Sequence, residues 1–164
     1  MLVNSKKIVI NDLIAAIYAL STMLVGEAGF GRIQFRPGEA LTILPLLVPS
    51  SWIGLTVGCI IANLMSFGGL FDVIIGSSLT LIASLITMII GKLIKKETPK
   101  VVFGCLPPIF INAFGIPLIF YLTELTPTYS LLAAATLIAS QSLTICMIGI
   151  PVYYLAKKSL KKAA

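Results

Sequence analysis

The sequence contains no histidine. The commonest general base and the commonest metal ligand are therefore both missing, which weakens any reading as an enzyme or a metal centre. Charge is scarce as well: 11% of the 164 residues are charged and 58% are hydrophobic, and the mean hydropathy is +1.05. Soluble domains do not tolerate so apolar a composition. The six acids lie near the ends of apolar segments, so the chain lacks a membrane-embedded series of carboxylates able to relay protons. No phosphate-binding loop of the G-x-x-x-x-G-K-[ST] type occurs, which excludes ATP hydrolysis by this chain alone. Cys59, Cys105 and Cys146 are far apart and within apolar segments, and their spacing suits neither a metal nor a disulfide framework. They read as small core residues. Neither an internal repeat nor a low-complexity segment is visible, and a single membrane domain over 1–164 is the simplest expectation.

What is present is long apolar sequence. Val101 to Thr123 and Leu125 to Ala156 carry no charge, and about 20 apolar residues suffice to cross a bilayer. The expected fold is an all-α integral membrane protein, a bundle of six transmembrane helices at about 8–25, 38–48, 51–66, 73–93, 101–121 and 131–156. Lys6 and Lys7 before the first run resemble the start of a signal peptide, but Gly26, Glu27 and Ala28 offer little to mark cleavage, so this run is read as an uncleaved helix. Asn11 and Asp12 are placed in its first turn, where capping and the helix dipole favour them. Pro45, Pro49, Ser50 and Ser51 break the next run into a second and third helix that are short or kinked. At 1.5 Å per residue these pieces span about 17 and 24 Å against a hydrocarbon core of about 30 Å. Irregular backbone at that depth is tolerated only inside protein or beside a wet cavity, so the pair is expected to lie beside a site. Pro107, Pro108, Pro117 and Pro151 predict kinks in the last two helices.

The net charge is +6, yet a nucleic-acid partner is not expected, because the lysines flank the apolar runs. They form three groups: Lys6 and Lys7; Lys92, Lys95, Lys96 and Lys100; and Lys157, Lys158, Lys161 and Lys162. Lysine-rich loops stay in the cytoplasm, so both termini are expected inside, as six crossings require. The loops 27–39, 66–72 and 123–130 then face outside. Arg32 and Arg36 fall in the first of these, against the positive-inside bias, which points to a role other than topology.

Few polar groups remain to carry function. Glu39 opens the second helix near Arg32, Gln34 and Arg36; it is either an acid stabilised by a helix N-terminus or a ligand anchor, since a carboxylate accepts two parallel N–H bonds from a planar ring. Asn63, Asp72, Asn112, Glu124 and Gln141 lie in or beside the spans, where an amide often serves only to bond two helices. Asn112 and Gln141 share a depth and could line an outward pocket. Ala15 and Ala19, with Gly26 on the same stripe, allow close helix approach, as do Ala135 and Ala139; such stripes serve either packing within the bundle or docking of a partner membrane subunit. Trp52 reads as an interfacial anchor.

The run "GFGRIQFRPGEALTILPLLVP", followed by "GLTVGCIIANL" and "FDVIIGSSLTLIAS", resembles the QueT family of queuosine-precursor transporters, the substrate-binding S components of energy-coupling factor (ECF) importers. The similarity covers most of 29–84, and "AAIYA" resembles the A-x-x-x-A helix by which S components face their coupling subunit. From Lys100 onward the likeness is one of general character. The resemblance implies an outward binding site covered by the first loop, and transport through a shared transmembrane coupling subunit driven by two cytoplasmic ATPases in a prokaryotic cell membrane. It implies a 7-deazaguanine cargo, no bound cofactor, and docking through Ala15 and Ala19. Glu39, Arg36, Gln34, Arg32, Phe35, Asn63, Asn112, Glu124 and Gln141 are the residues expected at the substrate, with Phe30, Phe35 or Tyr121 stacking on the ring. An S component for another vitamin, a self-sufficient small carrier or channel, and a membrane enzyme stand as alternatives.

Overall fold

A computed structural model describes residues 5–30, 35–66, 69–122 and 131–163, and over these the chain is helical with no strand. Helix α1 covers Ser5–Leu24 and is followed by a single 3₁₀ turn at Gly26–Gly29. A long 3₁₀ helix, Pro37–Leu46, comes next, and then α2, Ser51–Asn63. Helix α3, Gly69–Phe71, continues through a π-helical segment, Asp72–Gly76, into α4, Ser77–Leu93. Helix α5 spans Glu97–Leu122. The last rod is built from α6, Leu131–Thr144, a π segment, Ile145–Gly149, and α7, Ile150–Ala163. Six rods result, and four helices, Ser5–Leu24, Gly69–Leu93, Glu97–Leu118 and Leu131–Lys162, are long and apolar enough to cross a membrane. The expected six-helix membrane fold is what the chain adopts.

The second rod departs from the expectation in kind. It is a 3₁₀ helix of ten residues, where runs beyond three or four are uncommon. Pro45 withholds a backbone donor from its interior, so no regular α-ladder can run through it. Burial compensates, because Gly38 through Leu46 are all buried. With three residues per turn, positions i and i+3 share a face. Leu41 and Leu44 accordingly join one apolar cluster with Ile14, Tyr18 and Leu55, while Ile43 and Leu46 join another with Val101, Ile109, Ile145 and Tyr153. The 3₁₀ helix is the central post of the bundle.

Lipid surrounding the bundle is as apolar as its core, so helix association rests on close packing rather than on burial from water. Glycines supply the approach. A Cβ at Gly91 of α4 would stand 2.9 Å from Leu46 Cα, one at Gly104 of α5 would stand 2.6 Å from the Leu46 side chain, and one at Gly149 would stand 2.7 Å from the Ala40 carbonyl oxygen. Three different rods thus receive the central helix. On the other side, Gly54 and Gly58 of α2 lie against the Asn11 and Ala15 backbone of α1. These pairs make α1 and α2 parallel. The chain meets the later part of α1 at Gly38, against Tyr18 and Thr22, and its earlier part at Gly54, against Asn11, so the intervening 3₁₀ helix runs oppositely. Leu46, Gly91, Gly104 and the start of α1 therefore share one end of the bundle, and with them lie the lysines.

Several boundaries shift. Helix α1 begins at Ser5, so Asn11 is not in its first turn: its Oδ1 accepts from Gly54 N at 3.3 Å and its Nδ2 donates to the Lys7 carbonyl at 2.8 Å. Asn11 ties two helices instead of capping one, and Asp12 is exposed. Asp72, expected just before the fourth helix, lies inside that rod at the start of its π segment. Pro151 follows the second π segment, whose wider turn relieves the clash of a proline ring with the preceding backbone.

Candidate functional site

Gly38 sets the site's geometry, since a Cβ there would meet Thr22 Oγ1 at 2.4 Å and the Tyr18 carbonyl oxygen at 2.7 Å. Only glycine lets the 3₁₀ helix lie so close on α1, and the next side chain, Glu39, then reaches Tyr18. The Tyr18 hydroxyl donates to Glu39 Oε1 at 2.5 Å, and Asn112 Nδ2 of α5 donates to Oε2 at 3.1 Å. Thr42 Oγ1 donates to the Glu39 backbone carbonyl at 2.6 Å. Glu39 is 1% exposed. A buried carboxylate needs such donors, and with about four lone-pair sites it retains acceptor capacity beyond these two side-chain bonds.

Arg36 organises a second polar group, toward the end of α2. Its guanidinium donates to Asn63 Oδ1 at 2.6 Å and lies 5.5 Å from the centroid of the Phe30 ring, within cation–π range. Asn63 Nδ2 in turn donates to the Asp72 carbonyl oxygen at 2.9 Å and sits 3.4 Å from both Ser77 Oγ and Cys59 Sγ. Thr80 Oγ1 donates to the same sulfur at 3.3 Å, and the Ser66 hydroxyl donates to the Asp72 carboxylate. A Cβ at Gly76 would come within 3.0 Å of Asn63 Nδ2, so the π segment and its terminal glycine make room for this network. A guanidinium is effectively always protonated in proteins, and here the Glu39 and Asp72 carboxylates are its nearby opposite charges. The charge stays on.

Three buried polar atoms in this half of the molecule have no hydrogen-bond partner among the described residues: Arg36 Nε, Thr22 Oγ1 and Gln141 Oε1. Each unmet group costs about 1–3 kcal/mol, and native proteins keep few of them without a role. Beside α6 a cleft of about 360 Å³ is lined by Phe35, Thr136, Ala139, Ser140 and Leu143. The cleft is open and mostly apolar, and its described lining does not include Glu39, Arg36, Asn112 or Gln141.

The structure thus joins Glu39 to Asn112 and Arg36 to Asn63, buries Gln141, and sets Phe35 on the cleft. Arg32, Gln34 and Glu124 lie outside the described residues. Tyr121 is 47% exposed, and Phe30 already packs with Arg36. Tyr18 was missed by sequence reasoning although a signal existed: it follows Ala15 at helical spacing, and a phenol on an inward stripe needs a buried acceptor. Cys59, read only as a core residue, also receives the Thr80 donor. Ala15 and Ala19 are both buried, and a Cβ at Gly58 would stand 2.8 Å from the Ala15 carbonyl oxygen. Of the two uses weighed for this stripe, the structure displays the packing one.

One curated relative, "Queuosine precursor transporter QueT" of Lactococcus lactis subsp. cremoris (strain MG1363), is 38% identical over 72 residues. The match spans 43% of this chain and 42% of the relative, less than half the length of either. No solved structure matches the chain. The model of the QueT transporter family matches residues 8–158, a stretch that holds both polar groups and all or most of each helical rod, and the chain therefore belongs to the QueT transporter family.

Proposed function

We propose that this chain is the substrate-binding membrane subunit, or S component, of an ATP-driven ECF importer, and that it takes up queuosine precursors of the 7-deazaguanine class. The observation that carries the reading is the buried Glu39 carboxylate, held between Tyr18 and Asn112, in a chain of this family. A deazaguanine edge presents adjacent N–H donors, which fit a carboxylate with open lone pairs. Gln141 Oε1 and Arg36 Nε supply an acceptor and a donor still to be matched, and Asn63 holds Arg36 in place. Phe35 offers a ring face at the cleft. Arg32, Gln34 and Glu124 complete the set from the neighbouring segments.

The chain carries no phosphate-binding loop, so concentrative uptake requires partners: a transmembrane coupling subunit and two cytoplasmic ATPases. The lysine-rich end faces the cytoplasm of a prokaryotic cell, with both termini inside, and substrate arrives from the opposite side. Calorimetry of the purified protein with the cyano and aminomethyl 7-deazaguanines and queuine, beside guanine and unrelated vitamins, tests the ligand. Proteoliposomes test the coupling: the chain alone is expected to accumulate nothing, and ATP-dependent uptake is expected on adding the three partners. Tight binding of another vitamin, or concentrative uptake by the chain alone, would overturn the proposal.

A further inference from the structure

Two lysine groups far apart in sequence meet in the fold. Four lysines lie between 92 and 100 and four between 157 and 162, and Glu97 draws the groups together. Its Oε2 pairs with Lys157 Nζ at 2.6 Å, and its Oε1 accepts from the Tyr153 hydroxyl at 2.8 Å. Tyr153 is 0% exposed and belongs to the central apolar cluster. The junction is therefore anchored to the core, not a loose surface pair. Glu97 compensates one of the eight cations, and seven remain.

Topology alone requires lysines on this side of the membrane but not their convergence. In α7, Lys157, four residues before Lys161, is already paired with Glu97, but Lys158 and Lys162 are also four apart, and like charges at that spacing destabilise a helix. An anion between them removes the penalty. Leu93 in the first group, and Tyr154 and Leu155 next to the second, are exposed, so each group of cations has apolar side chains adjoining it. Water-soluble anions have no use for those side chains. Anionic lipids match both parts, and each Lys or Arg near an anionic membrane surface contributes about 1 kcal/mol.

We propose that the joined lysine cluster, at the α4–α5 turn and the end of α7, binds anionic phospholipid headgroups, with the acyl chains on the apolar surface that includes Leu93 and Leu155. The proposal rests on the membrane fold and is independent of the importer reading. Its test uses the full chain in nanodiscs of phosphatidylcholine with increasing phosphatidylglycerol, read by thermal unfolding and by native mass spectrometry of retained lipid. Phosphatidylglycerol is expected to raise the unfolding temperature and to be retained in preference to phosphatidylcholine. Combining Lys95→Ala, Lys96→Ala, Lys158→Ala and Lys161→Ala should weaken retention about tenfold or more, while the arginine variants at the same positions keep it. If the fourfold variant does not fold, the exposed pair Lys158→Ser and Lys161→Ser gives the same reading, with a loss of about threefold or more. Unchanged retention in the variant that folds would overturn the proposal. So would an equal loss on Lys6→Ala with Lys7→Ala, which would mean nonspecific membrane charge, or equal stabilisation by inorganic phosphate, which would mean a free-anion site.

Discussion

The two ends of the central 3₁₀ helix do different work. At its start Glu39 is surrounded by donors from α1 and α5, and Arg36, just before it, is held by α2. At its end Leu46 serves packing alone, enclosed by Gly91 and Gly104 and set against Val101 and Tyr153. Seven residues separate Glu39 from Leu46, about 14 Å at 2.0 Å per residue. One continuous element is therefore held at both ends, by Gly38 and Gly149 beside the carboxylate and by Gly91 and Gly104 at Leu46. Binding chemistry and packing are separable along a single helix, and substitutions at the two ends should act on different observables.

The largest expected effect tests the polar end. Glu39→Gln removes a charged acceptor, and a charge-assisted hydrogen bond contributes about 1.5–3 kcal/mol, so affinity for the 7-deazaguanine ligand should fall about ten- to hundredfold. Calorimetry measures it, with unfolding of the unliganded protein as control; unchanged affinity would remove Glu39 from the site. The opposite outcome is expected at the packing end. In Gly91→Ala the new methyl meets Leu46 backbone, which cannot swing aside, and stability in detergent should drop by about 1–3 kcal/mol while affinity holds. Loss of affinity there would mean that the two ends are coupled.

Gln141→Leu sharpens the contrast further, because one substitution should move the two observables in opposite directions. Removing a buried amide whose oxygen has no partner should stabilise the unliganded protein by about 1 kcal/mol, and ligand binding should weaken severalfold. Next, Glu39→Gln combined with Gly91→Ala should give stability changes that add within about 0.5 kcal/mol, as distant sites do. Smallest of all, Tyr121→Ala at the exposed face should change stability by no more than about 0.5 kcal/mol and leave affinity alone. A clear loss of binding there would restore Tyr121 as a stacking residue.

The fold was largely legible because lipid imposes length and apolarity on each crossing, and both are local properties of sequence. The site was legible in part. Glu39, Arg36, Asn63 and Asn112 stood out as polar groups in an apolar context, where each must find a partner. Which partner each found was not legible, since Asn112 lies 73 residues from Glu39 and Asn63 lies 27 from Arg36. Tyr18 was hidden because a tyrosine in an apolar helix also suits the membrane interface. The Ala15 and Ala19 stripe was ambiguous for a similar reason: small residues permit close approach without saying whose helix approaches.

By itself the sequence determined that the chain is a helical, multi-pass membrane protein of six rods, that lysines flank its apolar runs, and that few polar groups are available to bind anything. These follow from runs of residues and from charge at their borders, which act on neighbouring backbone. Tertiary structure alone decided that the second rod is a buried 3₁₀ helix and that Tyr18 and Asn112 bracket Glu39. It also decided that Glu97 unites two lysine groups 60 residues apart. Those outcomes depend on how closely the rods approach, and the approach is set where a glycine on one rod admits the backbone or side chain of another.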